Sequence, residues 1–278
     1  MKRVIVLFEL CACAPPTSPP ALTPHLLTHL EQPERPAIIA HRGGAALGPE
    51  ETVETMQRSI TGGATVLELD VHLTRDGIPV LLHDATVDRT TSGTGSVVDL
   101  TFSEVQSLNA GEGTTIPHLV DPLRAFPDIP FILELKGSHP DLVPTVVDVL
   151  RDEDALSRVI LASFHTDRLE AARAIDEAPA TGLSTAEVLE WLWYEEHDTY
   201  RPPAAFAQIP PQVPGLELVT PARIERARQL GLSIQVWTIN DPGEARLLAD
   251  MGVAGILTDA PDRIHAALTQ SVPPPVGP

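Results

Sequence analysis

Short runs of apolar and β-branched residues alternate along the chain with longer stretches whose apolar positions follow a helical period. Eight of the short runs predict buried strands, and the stretches between them predict helices. The predicted strands are Ala37–Ala40, Thr65–Val71, Phe131–Leu135, Val159–Ala162, Ala180–Leu183, Ala204–Gln208, Ser233–Trp237 and Gly255–Leu257. Strands that alternate with helices are typical of a parallel sheet, and eight such units predict an α/β fold of the (β/α)8 TIM-barrel type.

One interval, between the second and third predicted strands, is much longer than an ordinary βα loop. It contains a predicted hairpin partner at Ile78–Leu82 and a turn-rich segment at Thr90–Gly95. Because βα loops usually span only a few residues, this interval predicts a small inserted lobe after strand 2, at about residues 76–118. The predicted organisation is a disordered or signal-like N-terminal segment at 1–36, a barrel domain at 37–270 and a disordered tail at 271–278.

The charge of the chain limits its partners. Its 38 acidic residues outnumber 19 basic ones, which gives a formal net charge of −19. Such a protein is not expected to bind nucleic acid or an anionic membrane surface. No segment approaches the roughly 20 apolar residues of a transmembrane helix. The partner that remains is a small molecule, and the oligomeric state is left open.

The N-terminal segment permits two interpretations. Residues 1–14 combine a basic start with the short apolar run Val4–Phe8, which Glu9 interrupts, so they are a poor secretory signal. The stretch 10–13 loosely resembles a lipoprotein cleavage box and contains the only cysteines, Cys11 and Cys13. We expect a cytoplasmic protein, with export or lipid anchoring as the alternative. Two cysteines so close together, both outside the barrel, also predict neither a disulfide framework nor a cysteine-ligated metal.

Carboxylates in two predicted strands indicate a metal site. Glu68 and Asp70 are two residues apart in one strand, so their side chains point to the same face, and Glu134 lies in the next strand of the predicted barrel. Three converging carboxylates repel one another unless a cation neutralises them. All-oxygen ligands favour one hard divalent cation, Mg²⁺ or Ca²⁺. The alternative is that some of these carboxylates face solvent or pair with arginine.

Four further side chains complete a candidate site for chemistry at phosphorus. His41 and His83 each end an apolar run beside a charged residue, and imidazole can both accept and donate a proton near neutral pH. Arg42 and Lys136 are candidate phosphate contacts, or alternatively partners of the carboxylates. Trp237 ends a predicted strand, where it either packs in the core or forms a wall of the site.

Several of these residues lie in motifs with a known order. The motifs are HRG at 41–43, PEET at 49–52, ELDVHLTRDGIPVLLHD at 68–84, ELK at 134–136, VWTIN at 236–240 and GILTDAPD at 255–262. In this order they resemble the glycerophosphodiester phosphodiesterase family over about residues 37–269. The long run at 68–84 is the most specific part of the resemblance, because HRG or ELK alone occurs by chance in many proteins.

The resemblance implies metal-dependent hydrolysis of a glycerophosphodiester to glycerol 3-phosphate and an alcohol. It implies that His41 deprotonates the nucleophile, that His83 protonates the leaving alcohol and that Trp237 contacts glycerol. The family's metal ligands fall on the same three carboxylates that are described above. It further implies that the glycerol 2-hydroxyl attacks first and forms a cyclic phosphate that water then opens.

Two positions depart from the family pattern: Glu51 replaces the usual Asn of a PENT motif, and His165 stands where an Asp or Asn is common after a Ser-Phe pair. Asn can cap the helix that follows, whereas Glu is a poorer cap and adds negative charge. We therefore expect an effect on rate or on substrate fit.

Two other functions remain as alternatives. A lysophospholipase D-like phosphodiesterase of the same fold would need an apolar groove, expected from the lobe at Thr86–Pro117. That segment has few large apolar residues, so a soluble substrate is favoured. A non-catalytic phosphate-binding relative would be expected to lack an acid, a base or a metal ligand, and this chain has all of them.

Overall fold

The computed structural model describes residues 35–194, 197 and 199–269. The signal-like or lipoprotein-like stretch and the tail at 271–278 lie outside these residues. The strands are β1 (Ala37–Ala40), β2 (Val66–Leu73), β3 (Pro79–Leu81), β4 (Phe131–Leu135), β5 (Val159–Ala162), β6 (Ala180–Thr181), β7 (Phe206–Ile209), β8 (Gln212–Val213), β9 (Leu216–Glu217), β10 (Ser233–Val236) and β11 (Gly255–Thr258).

The helices follow the strands as βα units. They are α1 (Val53–Thr61), α2 (Phe102–Gln106), α3 (Val120–Ala125), α4 (Leu142–Asp152), α5 (Thr166–Arg173), α6 (Thr185–Tyr194), α7 (Pro221–Gln229), α8 (Pro242–Met251) and α9 (Pro261–Thr269). Among the described helices, none is both long and apolar enough to cross a membrane.

Eight parallel strands form the barrel, in the order β6-β5-β4-β2-β1-β11-β10-β7. A parallel bridge between Gly182 and Phe206 joins β6 to β7 and closes the ring. Strand β3 lies outside the ring and pairs antiparallel with the far end of β2. The predicted (β/α)8 barrel is therefore confirmed.

Five of the eight predicted strands have different limits in the structure, and two of these differences show why. The predicted strand Ala180–Leu183 is shorter, because β6 ends at Thr181. A side chain at Gly182 would clash with the side-chain amide of Gln208, which follows Phe206 on β7. The predicted strand Ala204–Gln208 is shifted to Phe206–Ile209, because pairing with β10 places Phe206 opposite Ser233. Both differences come from neighbours that are distant in sequence.

The barrel strands bury side chains on both faces. Ile39, Val66, Ile132, Phe206 and Leu257 belong to a cluster in which Trp237 also packs, whereas alternate strand residues pack against the helices. Burying an aliphatic or aromatic side chain of this size contributes about 1.5–3 kcal/mol. This two-layer packing holds the strand ends in a fixed ring, and the residues that follow each strand meet at one mouth of the barrel.

The segment between β3 and β4 forms a lobe with a small core of its own. Its residues Val87, Val97, Val105 and Ile116 are buried together with Val80 of β3. Helix α2 in this lobe begins with a reciprocal capping box, in which the Thr101 hydroxyl accepts from the Glu104 amide and the Glu104 carboxylate accepts from the Thr101 amide. The lobe is thus an ordered unit at the side of the barrel mouth that β2 and β3 form.

Candidate active site

The three candidate metal ligands lie together at the barrel mouth. Asp70 on β2 is directly opposite Glu134 on β4, and Glu68 lies on the same face of β2 two residues earlier. One oxygen from each carboxylate lies within 4.8 Å of the others. The parallel register of β2 and β4 therefore creates the cluster, since each strand supplies its carboxylates at the same height.

Burial gives this cluster unusual electrostatics. Glu68 is 5 % exposed and Asp70 is 1 % exposed. Burial, together with the negative charges of neighbouring carboxylates, raises the pKa of each to about 7. Among the described residues, Asp70 Oδ2 accepts no hydrogen bond, although Arg42 Nε lies 3.9 Å away. A cation at this point would satisfy that oxygen.

Lys136 and Arg42 supply the positive charge beside the cluster. Lys136 follows β4, and its Nζ lies 2.9 Å from Glu134 Oε2 and 3.3 Å from Asp70 Oδ1. Although burial opposes it, the Asp70 and Glu134 charges raise the pKa of Lys136, so the ammonium form is favoured. Lys136 pairs with the carboxylates in this position, and it can also contact a phosphate that binds beside them.

The turn after β1 places Arg42 in this position. Arg42 has a φ of 52° and is followed by Gly43 and Gly44, which also have left-handed backbone angles. A side chain at Gly44 would clash with the Ser59 hydroxyl, so this tight turn requires glycine there. The turn also lets the Arg42 backbone amide donate to Glu68 Oε2 at 2.9 Å. One reversal therefore connects the arginine to the carboxylate cluster.

Each candidate catalytic histidine is held by a carboxylate. His41 Nδ1 lies 2.7 Å from Asp259 Oδ1, and His83 Nδ1 lies 2.7 Å from Asp84 Oδ1. A bond of this type fixes the orientation of the ring and leaves Nε2 as the nitrogen that can meet a substrate. Both rings line the same cavity. The buried His72 ring lies under this part of the site, with Nε2 3.3 Å from the His83 carbonyl oxygen.

The two orienting carboxylates have different surroundings. The Asn240 side-chain amide donates to Asp259 Oδ2 at 2.6 Å, whereas Arg89 donates to both oxygens of Asp84, at 2.6 and 3.1 Å. The Arg89 hydrogen bonds hold the pKa of Asp84 well below its usual range. Although burial opposes it, hydrogen bonds from His41 and Asn240 lower the pKa of Asp259. The charge of Asp84 is thus offset by the Arg89 guanidinium, whereas Asp259 is hydrogen-bonded by the neutral Asn240 amide.

Glu50 connects the lobe to the turn after β1. Its carboxylate accepts two hydrogen bonds from Arg89, at 2.9 and 2.7 Å, and one from Arg42 Nη1 at 3.3 Å. These arginines lower the pKa of Glu50 against the opposing effect of burial. A chain of ion pairs therefore runs from Asp84 through Arg89 and Glu50 to Arg42.

The expected capping role of position 51 is wrong. Thr52 caps α1, since its hydroxyl accepts from the Thr55 amide. Glu51 has a φ of 62°, a conformation that Asn adopts more readily, and its side chain is 2 % exposed. Its Oε1 accepts from the Asp70 amide at 3.2 Å, and burial raises its pKa well above the usual value. Glu51 thus supports the backbone of a candidate metal ligand.

The site opens into a cavity of about 440 Å³, whose walls are mostly apolar. Trp237 follows β10 and meets the Phe164 ring edge-on, with 6.1 Å between the ring centroids. Lys136 Nζ lies 5.6 Å from the centroid of Phe164. Trp237 therefore does both things that the sequence allowed: it packs against the inner barrel cluster and it forms a wall of the cavity.

A family model agrees with this arrangement. The model of the Glycerophosphoryl diester phosphodiesterase family matches residues 41–263, a range that holds the carboxylate cluster, both histidines and the barrel strands from β2 onward. The chain belongs to the glycerophosphoryl diester phosphodiesterase family. The resemblance inferred from the motifs is confirmed, and the enzyme class is that of a phosphoric diester hydrolase.

Individual members of the family are similar over most of the chain. Probable glycerophosphodiester phosphodiesterase 2 of Mycobacterium tuberculosis is 30% identical over 244 residues, which cover 83% of this chain and 89% of the relative. The glycerophosphodiester phosphodiesterase of Caldanaerobacter subterraneus is 29% identical over 241 residues, 82% of this chain and 95% of the relative. A solved phosphodiesterase of Oleispira antarctica, in complex with the product sn-glycerol-3-phosphate, superposes with a TM-score of 0.72. It is 26% identical and covers 85% of this chain and 98% of its own.

In this phosphodiesterase the predicted site residues come together. His41, Arg42, Glu68, His83, Glu134, Lys136 and Trp237 line one cavity, and Asp70 lies within the carboxylate cluster. Sequence reasoning missed the roles of Asp259, Arg89 and Glu50. Asp259 stands inside the GILTDAPD motif and Glu50 inside PEET, and these motifs were the available signals. The contact of Asp259 with His41 depends on the pairing of β1 with β11.

Proposed function

We propose that this enzyme hydrolyses glycerophosphodiesters to glycerol 3-phosphate and an alcohol with the help of one divalent cation, Mg²⁺ or Ca²⁺. The observation that carries the proposal is the position of three carboxylates within 4.8 Å of one another, beside two histidines that carboxylates orient. The product bound to the Oleispira antarctica relative supports the glycerophosphate part of the substrate.

The chemistry of the donor set fits the cation. Glu68, Asp70 and Glu134 offer only oxygen atoms, which hard divalent ions prefer. The pKa of about 7 for Glu68 and Asp70 indicates that this arrangement disfavours three simultaneous negative charges without added positive charge. When bound, the cation would act as a Lewis acid that polarises a phosphoryl oxygen.

The two histidines divide the proton transfers. His41 accepts the proton of the attacking hydroxyl, which is the glycerol 2-hydroxyl or water, and His83 donates a proton to the leaving alcohol. The unequal carboxylates support this assignment. The negative charge of Asp259, whose other partner is the neutral Asn240 amide, can stabilise a protonated His41, which favours His41 as the base. The positive charge of Arg89 offsets that of Asp84, so Asp84 stabilises a protonated His83 less, and His83 gives up its proton more readily.

Lys136 and Arg42 bind the phosphodiester and offset the charge that develops at phosphorus. Lys136 is a point charge at the carboxylate cluster, and Arg42 carries a planar fork suited to two phosphate oxygens. Arg42 Nε is buried and donates to no atom in the described part of the chain. This donor is therefore available for an anionic ligand.

A metal-replacement assay tests the proposal. We expect glycerophosphocholine and glycerophosphoethanolamine to release glycerol 3-phosphate, activity to vanish after chelation, and Mg²⁺ or Ca²⁺ to restore it. Glu68→Ala and Glu134→Ala should abolish both the activity and the response to metal. Glu54→Ala, on the exposed face of α1, is the control and should behave like the unchanged enzyme. Full activity in the presence of chelator would refute the cation, and binding without turnover in metal-replete buffer would indicate a non-catalytic relative.

A further inference from the structure

The apolar part of the cavity is larger than a glycerol moiety requires. Its walls come from α6 and from the hairpin of β8 and β9, two elements that contain no candidate catalytic residue. We call this part the α6–hairpin groove. The residues that define it are Val188, Leu189 and Leu192 on α6, and Val213, Leu216 and Leu218 in or beside the hairpin.

The rim of the groove exposes apolar side chains to solvent. Leu189 is 63 % exposed, Leu216 is 49 % exposed and Val213 is 40 % exposed. Phe164, at the boundary with the catalytic residues, is 53 % exposed. Single exposed apolar residues are ordinary, but apolar residues grouped around one cavity mark a ligand-binding surface.

The groove is continuous with the catalytic residues and lies on one side of them. The candidate metal ligands and His83 belong to β2, the β3 end and β4, whereas the groove walls follow β6 and β7. In the ring of eight strands β2 is three places from β6 and four from β7. A molecule that fills the whole cavity must therefore be polar at one end and apolar at the other.

We propose that the α6–hairpin groove binds a single hydrocarbon chain carried by the glycerophosphodiester substrate, so that the enzyme acts on lysophospholipid-like molecules. This inference rests on the proposed function, because the phosphodiester must lie at the carboxylate cluster. The inserted lobe, where such a groove was expected, contributes no residue between Thr86 and Pro117 to the cavity. The sequence-based preference for a soluble substrate considered only that lobe.

The direction of the groove indicates that the hydrocarbon chain is attached to the glycerol half of the substrate. If His83 protonates the leaving alcohol, that alcohol lies on the side of β2 and β3, across the barrel from α6. The glycerol half then faces Trp237, Phe164 and the groove. A chain esterified at the primary hydroxyl would enter the groove and leave the glycerol 2-hydroxyl beside His41. The expected products of lysophosphatidylcholine are lysophosphatidate and choline.

A chain-length series tests the groove. The substrates are glycerophosphocholine and lysophosphatidylcholines of increasing acyl length, each kept below its micelle concentration. We expect kcat/KM to rise with length by up to about fourfold per buried methylene, equivalent to ~0.8 kcal/mol, until the groove is full. Glycerophospho-N-acylethanolamine, whose chain lies on the leaving alcohol, should not show this gain.

Matched variants locate the effect. Leu189→Glu places a carboxylate in the groove, and Leu247→Glu does so on α8 at a residue that is 62 % exposed and does not line the cavity. We expect Leu189→Glu to lower kcat/KM for the longest chain by about tenfold or more, because a charge opposes burial of a hydrocarbon. Both variants should hydrolyse glycerophosphocholine like the unchanged enzyme.

Other outcomes would overturn the inference. Equal kcat/KM for all chain lengths, with glycerophosphocholine turned over, would refute the groove and leave the proposed function intact. A gain only with glycerophospho-N-acylethanolamine would refute the assignment to the glycerol half. A change of mass in solution for Leu189→Glu without a change in chain preference would identify the groove as an interface between two copies. Inertness of every substrate in metal-replete buffer would instead refute the proposed function.

Discussion

Arg89 and Glu50 are joined by two hydrogen bonds, of 2.9 and 2.7 Å, that tie the inserted lobe to the turn after β1. Arg89 also donates to both oxygens of Asp84, which orients His83. The lobe therefore helps to orient a candidate catalytic group, although it contributes no residue between Thr86 and Pro117 to the cavity wall. Arg89 is linked to the candidate acid through Asp84.

Arg89→Gln should separate activity from stability. Arg89 is 46 % exposed, so loss of its ion pairs should change the free energy of unfolding by about 1 kcal/mol or less. We expect kcat to fall by roughly 10- to 100-fold, because Asp84 loses the partner that fixes it. The measurements are steady-state kinetics and urea denaturation. Arg75→Gln removes another exposed ion pair of the lobe, with Glu104, and should leave kcat unchanged. Equal kcat in both variants would contradict the positioning role.

Asp259→Asn should lower kcat with little effect on KM. An amide at this position is neutral and can donate to His41 Nδ1, which would place the ring proton on Nε2 and prevent that atom from accepting one. By analogy with other carboxylate–histidine pairs, a loss of roughly 100- to 10,000-fold is expected. Steady-state kinetics with glycerophosphocholine measure it. A kcat within about twofold of the unchanged enzyme would remove His41 as the base.

Glu51→Gln should be nearly neutral, whereas Glu51→Ala should destabilise the fold. Burial raises the pKa of Glu51, so its side chain is favoured in the protonated form, which Gln imitates while still accepting from the Asp70 amide. Ala would leave that buried amide without its partner, at a cost of about 1–3 kcal/mol in urea denaturation. A loss of activity in Glu51→Gln as severe as in Glu68→Ala would instead place Glu51 among the metal ligands.

His118 should make stability depend on pH. Its Nδ1 accepts a hydrogen bond from the Val120 amide at 2.9 Å, and burial lowers the pKa of the ring in the folded protein. As pH falls below about 6.5, the unfolded chain binds a proton more readily than the folded chain, so the free energy of unfolding decreases. His118→Asn keeps an acceptor that can bond two residues ahead but does not titrate, so part of this decrease should disappear.

Urea denaturation at neutral and mildly acidic pH measures the difference between this variant and the unchanged protein. His139→Asn is the matched control, because His139 Nδ1 accepts from the Asp141 amide at 3.2 Å on an exposed part of the surface. If both variants changed the pH dependence of the free energy of unfolding by the same amount, burial of His118 would not be its cause.

The barrel was predictable because its strands are local apolar runs. The limits of β6 and β7 were not, since Gly182 and Phe206 take their positions from distant strands. The β8–β9 hairpin was missed because three prolines and a glycine interrupt residues 210–219, so no apolar run there is long enough to show a two-residue period. The α6–hairpin groove depends on that hairpin, so its place could not be expected from the order of apolar and polar residues.

In the candidate site, too, features set by local sequence were predictable, whereas contacts between distant parts of the sequence were not. Glu68, Asp70 and His83 stand in one motif, and strand geometry predicts their common face. The partners that orient the histidines behave differently. Asp84 is adjacent to His83 in sequence, but Asp259 reaches His41 only through the parallel pairing of β1 and β11, and Arg89 reaches Glu50 only once the lobe has folded against the barrel.

The hydrogen bond between His41 and Asp259 also bears on protein synthesis. The first strand emerges from the ribosome early, but it obtains its neighbour β11 only after residue 258 has been translated. During translation His41 therefore lacks its orienting carboxylate while most of the barrel is being made. Prematurely terminated products that lack β11 would be unable to cleave phosphodiesters, so hydrolysis begins only after the last barrel strand has been made.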